Sequence, residues 1–341
     1  MREVQGNRSW VMLTVVFLCM LATLLGSSGA SSQPRPRVRV ITFAGGFNLP
    51  IWVALEKGFF ARQGMDVELT YTPGSVFQMT RLIAGEFDIA HTAIDNVIAY
   101  DEGQGEVRVE GQPDLIAFMG GDNGFLRLVV VPSVRSYADL RGKELSVDAL
   151  TTGYAFVLRR MLELRGLREG EYQLVSVGGV LQRWEALRQG KHAGTLLITP
   201  FDLIARRAGF RVLDHAVDVL ERYQGLVGAT RRSWARDHAE ELVAYIRGYL
   251  AGLAWLYDPV NREEGSSLLA RRAGMDPDLA REAFDVLVDP IGGFSPGAAV
   301  DLKGVRTVLE LRSRYGQPQK FLSQPLRYIN LFYYRRAAGA E

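Results

Sequence analysis

The segment from Val38 to Tyr71 constrains the fold of this chain more than any other. It opens with a short run rich in β-branched residues, passes through a loop, and then places apolar residues at helical spacings. Gly64 ends the helix pattern, and a second strand with alternating faces follows. A strand, a crossover helix and a second strand form a βαβ unit, which predicts a parallel sheet covered by helices. In such sheets ligands collect outside the carboxyl ends of the strands, so the loop at Gly45-Gly46 marks an expected site.

The composition favours a globular protein of about two domains. The chain has 341 residues, of which 48% are hydrophobic and 23% charged, as is ordinary for a globular fold. The formal net charge is +2 and no block of Lys and Arg stands out, so there is no electrostatic case for a nucleic-acid partner. The single cysteine is Cys19, which leaves the chain beyond it without a disulfide or a cysteine metal site.

The first thirty residues have the pattern of a secretory signal peptide. Arg2 and Arg8 precede an apolar run, and small residues follow up to Ala30. We expect cleavage near Ala30 and export to the periplasm, with residues 31–37 as a flexible leader. The alternative is an uncleaved anchor, which would make the chain a sensory ectodomain.

Several phrases of the sequence resemble a known family. The helix end at Ala54–Gly64, with its aromatic pair Phe59-Phe60 before a strand, is similar to the substrate-binding proteins of ABC importers for nitrate, sulfonates, taurine and thiamine-precursor pyrimidines. The phrases Leu82–Ala90 and Tyr137–Lys143 also match that family, and the resemblance covers nearly the whole chain after the leader. At Ala193 the chain departs from the family, which usually carries an aspartate there, so the role of that aspartate does not transfer.

The resemblance implies an α/β fold of the two-lobed periplasmic-binding-protein type (type II). Each lobe is expected to be a mostly parallel sheet flanked by helices, with a ligand cleft between the lobes. Lobe I is expected to be discontinuous, at residues 38–121 and 219–341, and lobe II to span residues 122–218. The regions around Gly120-Gly121 and Tyr223–Gly225 are the predicted hinges.

Five loops at predicted strand ends lead into helix starts. Free backbone N–H groups and the positive dipole end favour an anion or a polar ligand oxygen there, and glycine lets the backbone approach a ligand closely. For any single loop the alternative is ordinary turn chemistry, but together with the resemblance these loops predict a ligand cleft. The predicted ligand-binding residues are Gly45, Gly46, Phe47, Asn48, Pro73, Gly74, Ser75, His91, Thr92, Asp95, Asp148, Thr151, Thr152, Gly153, Tyr154, Gly178, Gly179, Thr199, Phe201 and Tyr223.

Some of these residues have a second interpretation. Asp95 and Asp148 are expected to cap helices; if either faced the cleft, it would repel a dianion and suit a hydroxyl, an amine or a ring N–H. His91 ends a strand, where a structural role is favoured over ligand contact. Trp184 lies within a helix pattern and is expected in the core rather than at the ligand.

No pattern indicates catalysis or a metal. The four histidines form no HExxH or other paired metal spacing, and the chain has no G-x-S-x-G elbow. We therefore expect a monomeric solute-binding protein without a cofactor. It would capture a small organic ligand of the sulfonate, organic-acid or heterocycle (pyrimidine) type by hinge closure and deliver it to the ABC permease. The alternative is an enzyme on the same fold, of dehydratase or pyrimidine-synthesis type, with His91 or an aspartate as general base.

Overall fold

Ten strands form two separate sheets in the computed structural model, which describes residues 35–111 and 113–339. Most of them coincide with runs of apolar and β-branched residues, which fit a pleated, covered surface. In chain order they are β1 Arg37–Thr42, β2 Asp66–Tyr71, β3 Ile89–Ala93, β4 Leu115–Gly120, β5 Arg127–Val130, β6 Glu144–Val147, β7 Gln173–Ser176, β8 Gly194–Leu197, β9 Arg211–His215 and β10 Leu226–Arg231.

Helices alternate with the strands along most of the described chain. They are α1 Leu49–Glu56, α2 Phe59–Arg62, α3 Ser75–Ile83, α4 Ile94–Asp101, α5 Gly153–Leu164, α6 Val180–Arg188, α7 Phe201–Arg207, α8 Ala216–Leu220, α9 Arg232–Asp237, α10 Ala239–Tyr257, α11 Arg262–Ala273, α12 Pro277–Leu287, α13 Leu302–Tyr315 and α14 Phe332–Ala338. Short 3₁₀ turns lie at Gly46–Asn48, Tyr137–Leu140, Pro259–Asn261, Pro296–Ala298 and Pro325–Arg327.

The two sheets share one plan. The first has the strand order β2-β1-β3-β10-β4 and the second the order β7-β6-β8-β5-β9. In the first sheet only β10 runs antiparallel to its neighbours β3 and β4, and in the second only β5 runs antiparallel to β8 and β9. Each sheet is therefore mostly parallel, and the α/β fold class predicted from the sequence is confirmed.

The antiparallel strands are the ones that enter a sheet from the other sheet. The chain leaves the first sheet after β4 and begins the second with β5; it leaves the second after β9 and returns with β10. Two crossing segments, residues 121–126 and 216–225, thus connect the sheets. The exact lobe boundaries given above stay a prediction.

Helix α10 packs closely against the first helical hairpin of the chain. Gly252 allows this approach, because a Cβ atom there would lie 2.4 Å from the carbonyl oxygen of Pro50. Two turns earlier the ring of Tyr245 stacks on Phe60 at a centroid distance of 5.1 Å. The sequence pattern of α1 and α2 is therefore explained by burial against α10 as well as against the sheet.

The C-terminal segment attaches to the edge of the first sheet. The amide of Ala117 in β4 donates to the carbonyl of Tyr328, and Asn330 donates back to Ala117. Beneath this segment the buried carboxylate of Glu102 accepts hydrogen bonds from Lys320 (2.9 Å) and Tyr328 (2.8 Å) and pairs with Arg327 (3.1 Å). One carboxylate thus fixes three side chains of the closing segment.

The N-terminal signal and leader predictions lie almost entirely outside the described residues, which begin at residue 35. Within the described part of the chain, no helix has the length and apolar character needed to cross a membrane.

Replacing Glu102 by glutamine is expected to lower the free energy of unfolding by about 1–2 kcal/mol at neutral pH, because its three partners lose a charged acceptor. Burial raises the pKa of Glu102, but hydrogen bonds from Lys320 and Tyr328 and the charge of Arg327 outweigh it, and the net pKa is lowered. A carboxyl with a lowered folded pKa stabilises the fold above its unfolded pKa and loses that contribution as the pH falls. The difference in the free energy of unfolding between wild type and variant, measured by urea denaturation, should shrink as the pH falls below 4.5, the ordinary pKa of a glutamate.

Glu310→Gln, at an exposed position on α13, is the matched control and should change stability by no more than about 0.5 kcal/mol. If the difference in stability between wild type and Glu102→Gln stayed the same at acidic pH, the role assigned to this carboxylate would be wrong.

Candidate functional site

A cavity lies where the carboxyl ends of strands from the two sheets meet. The volume that the centre of a water molecule can occupy inside it is about 60 Å³, and both sheets contribute to its wall. Much of the wall is apolar, and four aromatic rings stand around it, as in pockets for small organic ligands. The lining residues are Phe43, Phe47, Thr92, Ala93, Asn96, Asp122, Gly124, Phe125, Asp148, Thr152, Gly153, Tyr154, Val180, Arg183, Ile198 and Leu226.

Six of the residues predicted from the sequence line this cavity. They come from the loop after β1, the end of β3 and the loop after β6. They are Phe47, Thr92, Asp148, Thr152, Gly153 and Tyr154. The position of the site at the strand ends therefore agrees with the topology argument, and their contact with a ligand stays a prediction.

Several predicted loop residues form contacts between the two halves instead. Pro73, Gly74, Ser75 and Gly178 line a wider groove that opens to solvent. The Gly179 amide donates to the Pro73 carbonyl (2.9 Å) and that of Gly46 to the Thr199 carbonyl (3.3 Å). These main-chain groups thus satisfy each other across the junction of the sheets.

Two of the predicted residues support the fold beneath the cavity. The buried side chain of Asn48 accepts from the Thr42 hydroxyl (2.8 Å) and donates to the carbonyls of Phe43 and Gly45. His91 is buried, with its Nε2 2.8 Å from the hydroxyl of Tyr245. Neither side chain lines the cavity, and for His91 the structural interpretation explains every contact it makes.

The remaining predicted residues lie around the second-sheet side and the return crossing. Thr199 accepts a hydrogen bond from Arg127 (3.2 Å), and Phe201 is a half-buried residue at the start of α7. Tyr223 is buried behind Tyr154, with ring centroids 6.2 Å apart. Among the described residues, none forms a hydrogen bond with the Tyr223 hydroxyl.

Asp95 takes part in a buried ion pair rather than lining the cavity. Both of its carboxylate oxygens lie 2.8 Å from Nη1 of Arg312, and the two side chains are at most 1% exposed. Oδ2 also accepts from the amide of Gly153 at the start of α5 (2.5 Å), and Arg312 donates to the carbonyl of Thr151 (3.2 Å). We call this set, Asp95 and Arg312 with the loop Thr151–Gly153, the Asp95 latch. It connects the first-sheet side to the second.

Asp148 makes the reciprocal contact. It follows β6 of the second sheet, and its carboxylate accepts from the amide of Ser75, the first residue of α3 on the first-sheet side (3.2 Å). The sequence predicted that helix starts near the cleft would receive a ligand anion or oxygen. At α3 and α5 the chain supplies that anion itself, because Asp148 and Asp95 occupy these positions.

Two charged residues of the cavity were not predicted from the sequence. Arg183, one turn into α6, is buried and donates to the carbonyls of Gly178 (3.0 Å) and Leu196 (3.2 Å). Asp122 lies in the first crossing segment, within a glycine-rich stretch that suggested only a hinge. A buried arginine in a polar helix pattern gives no signal that separates it from a solvated one, so the sequence could not identify Arg183.

Asp122 joins the two crossing segments. Its Oδ1 accepts from the amides of Gly124 (2.7 Å) and Leu226 (3.1 Å), and its main-chain carbonyl accepts from Gly225 (3.0 Å) and Gln224 (3.0 Å). Burial raises the pKa of its carboxyl to about 6. The segments predicted as hinges therefore meet at one buried carboxylate.

The described residues do not assemble a metal centre. No group of three or more His, Cys, Asp or Glu side chains within them could hold a metal ion. Burial lowers the pKa of His91 to about 3, and its Nε2 is engaged with Tyr245, so its position does not suit proton transfer to a molecule in the cavity.

Comparison with known proteins agrees with this architecture. The profile of the NMT1-like family matches residues 31–270, more than half of the chain. The chain belongs to the NMT1-like family. The resemblance found in the sequence is thereby confirmed at the level of the family. No curated protein matches the chain.

Solved structures share the fold of this NMT1-like chain at low sequence identity. A protein from Bordetella bronchiseptica RB50 superposes with a TM-score of 0.75 at 18% identity, over 89% of this chain and 98% of that one. The periplasmic nitrate-binding protein NrtA from Synechocystis PCC 6803 gives 0.74 at 14%, over 90% and 89%. The alkanesulfonate-binding protein SsuA from Xanthomonas axonopodis pv. citri, bound to MOPS, gives 0.69 at 14%, over 87% and 99%.

In this NMT1-like chain, Arg312→Met is expected to lower the free energy of unfolding by about 3–5 kcal/mol, because it leaves the carboxylate of Asp95 buried without its cation. Chemical denaturation of the purified chain measures the loss. The double variant Asp95→Leu/Arg312→Met removes both charges and should recover part of it.

Arg314→Met on the same helix is the control. Arg314 is largely exposed and pairs with Glu163, so its removal should cost about 1 kcal/mol or less. If the Arg312 and Arg314 replacements lowered the free energy of unfolding equally, the burial of the Asp95–Arg312 pair would not be what makes it important for stability.

Proposed function

We propose that this NMT1-like protein is the exported solute-binding component of an ABC importer. It captures a small organic molecule between two lobes and delivers it to the membrane permease. The observation that carries the proposal is a cavity whose wall comes from both sheets and which is closed by hydrogen bonds from one side to the other. The fold shared with the nitrate-binding and alkanesulfonate-binding proteins supports the same class of function.

Hinge closure is the mechanism that the geometry supports. Within the described residues, two crossing segments connect the sheets, and they meet at Asp122, so the lobes can rotate about one short region. A ligand that touches both walls has its full set of contacts only in the closed state. Its binding then shifts the population toward closure by the difference in affinity between the two states.

The direct contacts between lobes set how much of the closing free energy the ligand must supply. The Asp95 latch, the Ser75–Asp148 contact and the Gly179–Pro73 hydrogen bond all join opposite sides. Polar contacts at such a junction exchange with water on opening, so each contributes only about 0.5–1.5 kcal/mol net. The ligand then supplies the remainder of the free energy of closing.

Export is the part of the proposal that rests on the N-terminal sequence. Cleavage after Ala30 would release a mature chain that begins at Ser31, in the periplasm and ready to meet a permease. N-terminal sequencing of the protein recovered from the exported fraction is expected to give Ser-Ser-Gln-Pro. An intact Met1 on a membrane-bound chain would favour the sensory-ectodomain alternative instead.

Gly153→Ala should prevent closure without disturbing either lobe. Its Cβ would lie 2.3 Å from Cγ of Asp95, a distance that the closed state cannot accommodate, whereas Ala is favourable at the first position of α5. Native mass spectrometry of the mature chain is expected to show a bound small molecule in the wild type. Occupancy in the variant should fall about tenfold or more, the effect of roughly 1.4 kcal/mol on binding.

Gly292→Ala is the matched control, since a Cβ there meets only the Asp289 carboxylate at an ordinary 3.5 Å. Its occupancy should equal that of the wild type. The enzyme alternative predicts a different result: the released molecule, added back to the purified chain, would be converted to a product. A binding protein should return it chemically unchanged.

A further inference from the structure

Two of the helix starts at the junction of the sheets are already occupied by carboxylates of the chain. The starts of α3 and α5 point their free amides toward the junction of the sheets, and such helix ends favour negative charge. The carboxylate of Asp148 accepts from the first amide of α3, and that of Asp95 from the first amide of α5. An anion could bind at either of these two helix starts only by displacing the aspartate or lying beside it.

The one cation among the described residues that line the cavity is also committed. Both Nη groups of Arg183 donate to main-chain carbonyls, of Gly178 and Leu196. Its Nε has no hydrogen-bond partner among the described residues, and it is buried, out of reach of a molecule in the cavity. Asp148 also attracts the guanidinium electrostatically. The charge of Arg183 thus fixes the loop after β7 and is offset within the protein, so little of it remains for a ligand.

Asp122 is different, because it lines the cavity without a cationic partner. Its Oδ1 accepts the two hinge amides, whereas no residue in the described part of the chain donates to its Oδ2. With Asp148 and Arg183 offsetting each other, the net charge of the wall is negative at Asp122. A buried carboxylate of this kind is stabilised by a ligand N–H donor, and most strongly by a positively charged one.

The aromatic walls define the rest of the ligand. Four aromatic rings line the cavity, whose volume of about 60 Å³ suits a small flat ring. They belong to Phe43, Phe47, Phe125 and Tyr154. Resting on the proposed solute-binding function, we propose that the ligand is a small aromatic amine or similar N–H-bearing ring compound, neutral or singly positive, whose donor meets Asp122. Nitrate and alkanesulfonates, named for the structural neighbours, carry no such N–H donor and are expected to bind more weakly.

Isothermal titration calorimetry of the mature full chain tests this with three probes: benzylamine, benzenesulfonate and nitrate. The first two share a ring and differ in the sign of their charge. Benzylamine is expected to bind about tenfold or more tightly than either anion, since its donor gains a charge-assisted hydrogen bond and the anions meet a negative wall. Asp122→Asn should weaken benzylamine binding about tenfold while keeping the Oδ1 acceptor for the hinge amides.

Asp237→Asn removes the same charge from an exposed position and should bind the three probes as the wild type does. Three results would overturn the ligand class: tighter binding of benzenesulfonate or nitrate, no binding of benzylamine, or unchanged benzylamine affinity in Asp122→Asn. If an anion binds the wild type and Gly153→Ala weakens its binding, the ligand class is wrong but the proposed solute-binding function still holds. Conversion of a probe to a product would count against that function itself.

Discussion

The buried ion pair of Asp95 and Arg312 is the interaction on which the contact between the two sheet sides depends. Removing two charges from water costs several kcal/mol per ion, which their attraction offsets only where the remaining polar atoms also find partners. Here Gln104 accepts two further hydrogen bonds from the guanidinium, and the Thr151 carbonyl accepts another. The amide of Gly153 donates to the carboxylate. Because Thr151 and Gly153 belong to the second-sheet side, the pair is completely satisfied only when the two sides are in contact.

The same arrangement determines the electrostatics of the cavity. A helix start is a general attractor of negative charge, and a shared fold could be taken to imply a shared anionic ligand. In this chain two aspartates hold those positions from the opposite side, and the arginine in the wall is engaged with carbonyl groups. Under the proposed function, the fold would set where a ligand binds, and a few buried side chains would set which charge it can carry.

The sequence predicted the fold class and the end of the sheets where the cavity lies, because the βαβ unit and glycine loops have local signatures. Both Thr92 and His91 were among the predicted ligand-binding residues, although a structural role was favoured for His91: Thr92 lines the cavity, whereas His91 contacts Tyr245 and does not line it. The sequence could not identify Arg312 as the partner of Asp95, since 217 positions separate them and an arginine in a polar helix looks solvated. Such pairings are set by tertiary packing and leave no local pattern.

The position of β10 has a consequence for how the chain reaches its native state. This strand lies between β3 and β4, so the first sheet has a gap in its centre until residues 226–231 arrive, after the whole second sheet has been made. Until then β3 and β4 have edges that can pair with other chains, and their apolar residues lack cover. Folding is therefore expected to be slow, because the first sheet is completed by contacts between residues far apart in the sequence.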